Sequence, residues 1–171
     1  MASRLFPAPR ARKQVGLVAI LLAGGCGGNT EATLQTAAGT GYRFEAPQDW
    51  RLERAGRTLS AVSGDGRAAV SVTTFRLARP YRTELRPEVF RELDRVADEL
   101  AGKLGGAVQE SSDVTVGGLR GRHYRFSGAS DGTRRIAFVL QGRREFQLLC
   151  RFADVADEPV CEQLLASFRL R

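Results

Sequence analysis

Residues 136–140 read Ile-Ala-Phe-Val-Leu, an unbroken apolar run closed by Gly142. Side chains alternate between the two faces of a strand, so a strand built from this run is apolar on both. Water on either face would meet hydrocarbon, and a sheet containing such a strand has to be covered on both sides. The run therefore calls for a layered α+β fold, an antiparallel sheet filling the space between helices, rather than a sheet open to solvent.

The rest of residues 41–171 supplies the layers. Tyr42 to Ala46, Trp50 to Glu53 and Thr58 to Ser63 read as short strands, with a turn at Pro47-Gln48-Asp49. Ala68 to Leu77 is rich in β-branched residues and reads as a longer strand. Pro87 to Leu104 is the clearest helix. Proline suits its first position, Val89, Leu93, Val96, Ala97, Leu100, Ala101 and Leu104 form one apolar stripe, Glu99 and Lys103 stand four apart on the wet face, and Gly105-Gly106 ends it. Val108 to Val116, Leu119 to Ser127, Thr133 to Gln141 and Arg144 to Phe152 read as strands joined by glycine turns and a loop at Asp131-Gly132, and Pro159 to Arg169 as a closing helix.

The N-terminal residues follow a different pattern. Met1 to Lys13 is basic, Val15 to Ala23 is apolar, and Gly24-Gly25-Cys26 follows. That is the layout of an export signal. The apolar core spans only about 14 Å as a helix, half of what a bilayer requires. Leu22-Ala23-Gly24-Gly25-Cys26 resembles the lipobox of bacterial lipoproteins, whose signal peptidase cuts before a cysteine that carries acyl chains such as palmitate. Leucine usually stands three places before that cysteine; here Ala23 does, with Leu22 one place earlier. The resemblance implies a signal peptide over 1–25, with Leu22, Ala23, Gly24 and Gly25 as the recognition residues, and a lipid anchor on Cys26. The alternative is an ordinary secretory signal followed by an unmodified cysteine. Residues 26–40, small and polar after the cysteine, read as a flexible tether reaching about 20 Å. The protein is then expected on the outer side of the cell membrane or at the outer membrane.

Charge has to be counted after this division. The formal net charge is +7, but residues 1–25 hold four of the 26 basic residues and no acid, leaving 22 basic against 19 acidic and a net of +3. No basic stripe is interleaved with aromatics, so no nucleic-acid partner is expected. Cys150 and Cys161 remain for an exported chain that meets oxidants, and they are expected to form a disulfide. Phe146, Leu148, Cys150 and Phe152 share one strand face, and Cys161, Leu164, Leu165 and Phe168 share one helix stripe, so strand and helix would meet at the sulfurs. A buried reduced pair is the rival reading; a metal site is disfavoured by the single histidine and the lack of a CxxC motif.

Tyr42-x-Phe44-x-x-Pro47-x-x-Trp50, the Val70-Ser71-Val72 strand, the central amphipathic helix, Val116-Gly-Gly-Leu-Arg-Gly-x-x-Tyr124 and the terminal Ser167-Phe168 together resemble the PsbP-like family. That family includes photosystem extrinsic subunits and many bacterial lipoproteins. The resemblance covers about Gly41 to Arg171 and implies an α/β/α sandwich with a binding or accessory role. Its motifs carry no catalytic residue, so none is transferred.

Chemistry outside the motifs is sparse. No HExxH or GxxxxGK[ST] occurs, and no cofactor or metal is expected. His123 is the only histidine, beside Arg122 and near Arg125, which disfavour its charged form. As a catalytic base it would need Ser127 or Ser71 within reach; otherwise it is a half-buried strand residue. Trp50 reads as a core anchor beside the Pro47 turn rather than a ligand-stacking ring. Arg134, Arg135, Arg143, Arg144 and Arg151 flank one hairpin and are the candidate binding surface, facing lipid headgroups or cell-wall polymer. The expected function is that of a non-catalytic, membrane-anchored envelope protein, monomeric in its folded domain, binding an envelope protein or small ligand. The alternatives are a structural subunit of an envelope complex and, third, a hydrolase with an atypical site. The anchor has a direct check: Cys26→Ala should move the protein from the membrane to the soluble fraction and abolish acyl labelling, and unchanged retention without label would refute lipidation.

Overall fold

The fold is described from a computed structural model, which covers residues 33–128 and 132–171. Cys26, the signal residues Leu22 to Gly25 and Asp131 lie outside the described residues.

The apolar run forms the middle of β8 (Thr133–Gln141), and both of its faces are buried. Ile136, Phe138 and Leu140 pack with Tyr124, Phe126 and the Leu93, Ala97 and Ala101 stripe of α1 (Arg86–Lys103). Ala137 and Val139 point the other way, into a second core with Val70, Val72, Phe146, Leu148 and Phe168. β8 belongs to a seven-stranded antiparallel sheet. Its order is β3 (Arg51–Ala55), β4 (Thr58–Val62), β5 (Ala69–Arg76), β9 (Arg144–Phe152), β8, β7 (Leu119–Ser127), β6 (Ala107–Val116). The second core is closed by α2 (Glu158–Ser167) and a small sheet in which β2 (Tyr42–Pro47) lies between β1 (Leu34–Gly39) and β10 (Arg169–Leu170).

The expected filled sandwich is therefore present, with one difference. One cover is a helix; the other is a helix plus three strands. Tyr42 binds the two sheets together. Its hydroxyl donates to the Val72 carbonyl at 3.0 Å, and its ring meets Phe146 and Phe168 at centroid distances of 5.8 and 5.9 Å. Buried aromatic contacts of this kind add to the area they remove from water. On the opposite face, Tyr124 donates to Asp94 of α1 at 2.7 Å, and Arg122 holds the same carboxylate at 3.0 Å.

Three boundaries differ from the sequence reading. The stretch read as a tether through Thr40 is partly a strand: Leu34–Gly39 pairs with β2 throughout. Small residues read as flexible because they lack packing atoms, but here they fit beneath large neighbours. At Gly39 a Cβ would stand 2.0 Å from the Tyr42 ring, so the glycine is the space the ring occupies. The closing helix stops at Ser167, and Arg169 pairs across from Arg43 in the small sheet. Glu99 pairs with Arg95, one turn earlier, rather than with Lys103. Trp50, read as the start of a strand, instead sits buried just before β3, with its N–H on the Pro47 carbonyl at 3.1 Å.

Cys150 and Cys161 form the expected disulfide, Cα to Cα 5.5 Å, tying β9 to α2. Phe146, Leu148, Phe152, Leu164 and Phe168 are all buried around it. The bond closes a short loop, and the chain-entropy account assigns such a loop about 3 kcal/mol. A Cys150→Ala/Cys161→Ala variant should lose about that much unfolding free energy in urea titration. A loss below about 1 kcal/mol would show that packing alone holds α2 on the sheet.

Candidate functional site

The hairpin arginines do not form one surface. Arg134 stands directly across from Arg151, as read from the sequence. Arg143 and Arg144 lie at the other end of the hairpin, about 25 Å away by strand rise. The two ends also differ in kind. At the open end Arg135 is mostly buried and pairs with Glu158 and Glu162 of α2, Arg125 meets Glu158 at 3.0 Å, and Arg151 donates to the Gly66 carbonyl. These arginines fasten α2 and a turn to the sheet.

At the turn end the arginines line a cleft of about 520 Å³. It lies where the two sheets part, bounded by the β1–β2 turn, the β3–β4 turn and the ends of β5 and β9. Its walls carry Arg54, Arg57, Arg76, Arg143 and Arg144 together with Thr40, Tyr42 and Thr74, and no carboxylate. Arg76 and Arg144 are direct cross-strand partners. Gly41 makes room for Arg144: it has φ +81°, and a Cβ there would come within 2.3 Å of Arg144 Nη1. Arg54 reaches across to donate to the Ala38 carbonyl at 2.8 Å. Thr74 Oγ1 is buried with no hydrogen-bond partner among the described residues.

Sequence reasoning found Arg143 and Arg144 and missed Arg54, Arg57, Arg76 and Thr74. The available signal was a pair of tight turns flanked by arginine, Arg54-Ala-Gly-Arg57 and Gly142-Arg-Arg144. Only the pairing of β5 with β9 brings them to one end of the sheet.

A second cavity, about 510 Å³ and mostly apolar, opens between α1 and the segment before it, lined by Leu77, Tyr81, Leu85, Val89, Phe138 and Leu140 among others. Glu145 faces it, and burial raises its carboxyl above the usual range.

His123 is buried on the α2 side of β7, and its Nε2 has no hydrogen-bond partner among the described residues. It borders a void of about 10 Å³ with Arg135, Cys150, Cys161 and Leu164. Ser71 pairs with Leu149 and so faces α1, on the opposite side of the sheet. Ser127 lies four residues along the same strand, about 13 Å away. His123 thus meets neither hydroxyl proposed for it. Among the described residues no group of three or more His, Cys, Asp or Glu side chains is placed to hold a metal ion.

No family model matches this chain, and no curated protein matches it in sequence. Among solved structures, cyanobacterial PsbP (CyanoP) from Synechocystis sp. PCC 6803 superposes with a TM-score of 0.59 at 15% identity, over 87% of this chain and 99% of that one. The fold is PsbP-like. LpqN, described as involved in cell envelope biogenesis of Mycobacterium tuberculosis, aligns more loosely, with a TM-score of 0.47 at 14% identity over 81% of this chain and 90% of that one. The PsbP-like architecture accounts for the two covered faces of the sheet. At such identities it transfers no activity.

His123 generates a pH prediction. Burial, and then the nearby Arg135 charge, lower its pKa from the ordinary 6.5. The unfolded chain therefore takes up the proton first, so His123 contributes full stability above pH 6.5 and progressively less as pH falls below it. Urea titrations at pH 7.5 and 5.5 should show a loss of about 1 kcal/mol that a His123→Leu variant lacks. Equal pH slopes in both proteins would place the histidine in contact with water.

Proposed function

We propose that this chain is an exported, lipid-anchored envelope protein that binds a small ligand or partner without transforming it, and that the arginine cleft is its binding seat. The reading joins three elements. The basic, apolar, small-residue leader ending at Cys26 supports export and anchoring. The disulfide between Cys150 and Cys161 fits an oxidising compartment. The described residues contain no helix long and apolar enough to cross a membrane, so attachment in this reading falls to the acylated cysteine.

The single observation that carries the binding role is the cleft itself. It is concave, within the size range of small-molecule sites, and lined by one sign of charge. It contains no base beside a nucleophile, the minimum for acyl or phosphoryl chemistry. The subunit alternative calls for a contiguous exposed apolar patch. Among the described residues the large exposed apolar side chains are Leu34, Leu52, Phe75, Leu85 and Val155.

The test is recovery of ligand. Full-length protein purified from envelopes should release a non-covalently bound species on denaturation, detected by mass spectrometry. An Arg57→Glu/Arg143→Glu variant, equally folded and equally membrane-bound, should release none. Recovery of the species from both proteins, or its conversion on incubation with the wild type, would overturn the proposal.

A further inference from the structure

We infer that the arginine cleft is a phosphoryl-oxyanion site, taking a group with two or more negative charges such as a pyrophosphate, a phosphate monoester or an anionic lipid headgroup. This assignment rests on the binding-protein reading above and names the ligand class of the same cleft.

The first argument is a contrast within the molecule. Several arginines elsewhere on the fold are matched with acids: Arg51 with Glu53, Arg95 with Glu92 and Glu99, Arg122 with Asp94 and Asp113, Arg125 with Glu158, and Arg135 with Glu158 and Glu162. At the cleft Arg54, Arg57, Arg76, Arg143 and Arg144 meet no carboxylate among the described residues. Arg54 alone has a protein acceptor, the Ala38 carbonyl. The abundance of arginine says little, but five of them around one cavity gather like charge where no acid lines the wall.

Register makes the repulsion a built-in feature. Arg76 faces Arg144 as a direct antiparallel partner, a like-charge pairing that destabilises a sheet. Neither side chain can slip to the other face, because Val70 and Val72 of β5 and Phe146 and Leu148 of β9 pin the register from the core. A bound anion removes that repulsion, and its relief adds to the site's affinity.

The donors then select the anion. A guanidinium presents two parallel N–H groups that match two oxygens of one phosphoryl group, a fit that a lone ammonium lacks. Several such forks around one cavity exceed what a monocarboxylate can neutralise. Thr74 adds an independent mark. Thr74 is among the lining residues, and its hydroxyl is buried with no hydrogen-bond partner among the described residues, a costly state that a ligand oxygen reaching it would relieve. The cavity volume of about 520 Å³ admits a small ligand or a headgroup and argues against a long polymer lying across a face.

The experiment uses the full chain in phosphatidylcholine nanodiscs, titrated calorimetrically with inorganic pyrophosphate at constant ionic strength. One site is expected. Arg57→Ala and Arg143→Ala should each weaken it at least tenfold, and Thr74→Val, which keeps the side-chain shape, several-fold. Arg95→Ala, on α1 across the sheet, should leave it unchanged.

A second arm separates the sources. If lipid headgroups occupy the cleft, discs of phosphatidic acid, whose headgroup is a phosphate monoester, weaken pyrophosphate binding more than discs given the same surface charge with oleate. Equal weakening assigns the site to a free phosphate ester. Absence of binding, or equal affinity in all four variants, overturns the assignment. Tricarballylate binding as tightly as pyrophosphate, with the same sensitivity to Arg57→Ala, overturns the phosphoryl class while leaving the binding-protein reading intact.

Discussion

The central strand β8 has hydrocarbon on both faces, and this constraint organises the rest of the molecule. Ile136, Phe138 and Leu140 require α1 above them; Ala137 and Val139 require a second cover below. The second cover is composite because one short helix is too narrow for the width of the sheet. α2 seals the part near Cys150, and the β1–β2–β10 sheet seals the part near Val72 and Phe146. The disulfide and the Tyr42 hydroxyl fasten this composite cover to the main sheet from within the core, and the ion pairs of Arg125 and Arg135 with α2 fasten it at the rim.

A two-piece cover has a seam, and the cleft is the end of that seam. Where the small sheet ends at the Thr40-Gly41 turn, the main sheet continues past it to Arg76 and Arg144. The space between is walled by whatever side chains the turns provide, and in this chain they are arginines. Had the turns carried acids or apolar residues, the fold would be the same and the chemistry different. This is the usual relation between a scaffold and a site grafted on it.

His123 illustrates how a chemically suggestive residue becomes a structural one. Its neighbours in space are the disulfide, Leu164 and Arg135, none of them a partner for proton transfer. Burial and a nearby cation keep it neutral. Ser71 and Ser127, each within plausible reach on paper, are separated from it by the alternation of the strand and by its rise. The arginines divide the same way. Arg135 and Arg151 became fasteners because acids on α2 or a turn carbonyl stand opposite them, while Arg143 and Arg144 remained unmatched by acid.

The periodicities visible along the chain determined most of the secondary structure: the two-faced strand, the stripe of α1, the facing sulfurs of β9 and α2, and the Trp50 anchor are local patterns with one physical solution each. Even the pairing of Arg134 with Arg151 follows from counting outward from a tight turn. What local pattern could not determine was which non-adjacent strands lie side by side. Nothing within Ala69–Arg76 specifies Arg144–Phe152 as its neighbour, yet that pairing puts Arg76 against Arg144 and brings the Arg57 and Arg143 turns to one end. Likewise the small residues of β1 carry no signal of their own; Leu34–Gly39 is a strand because the Tyr42 ring and the β2 edge offer it a place. Long-range pairing is set by the summed burial of distant faces, a quantity of the whole chain, and so the cleft came into view only in three dimensions.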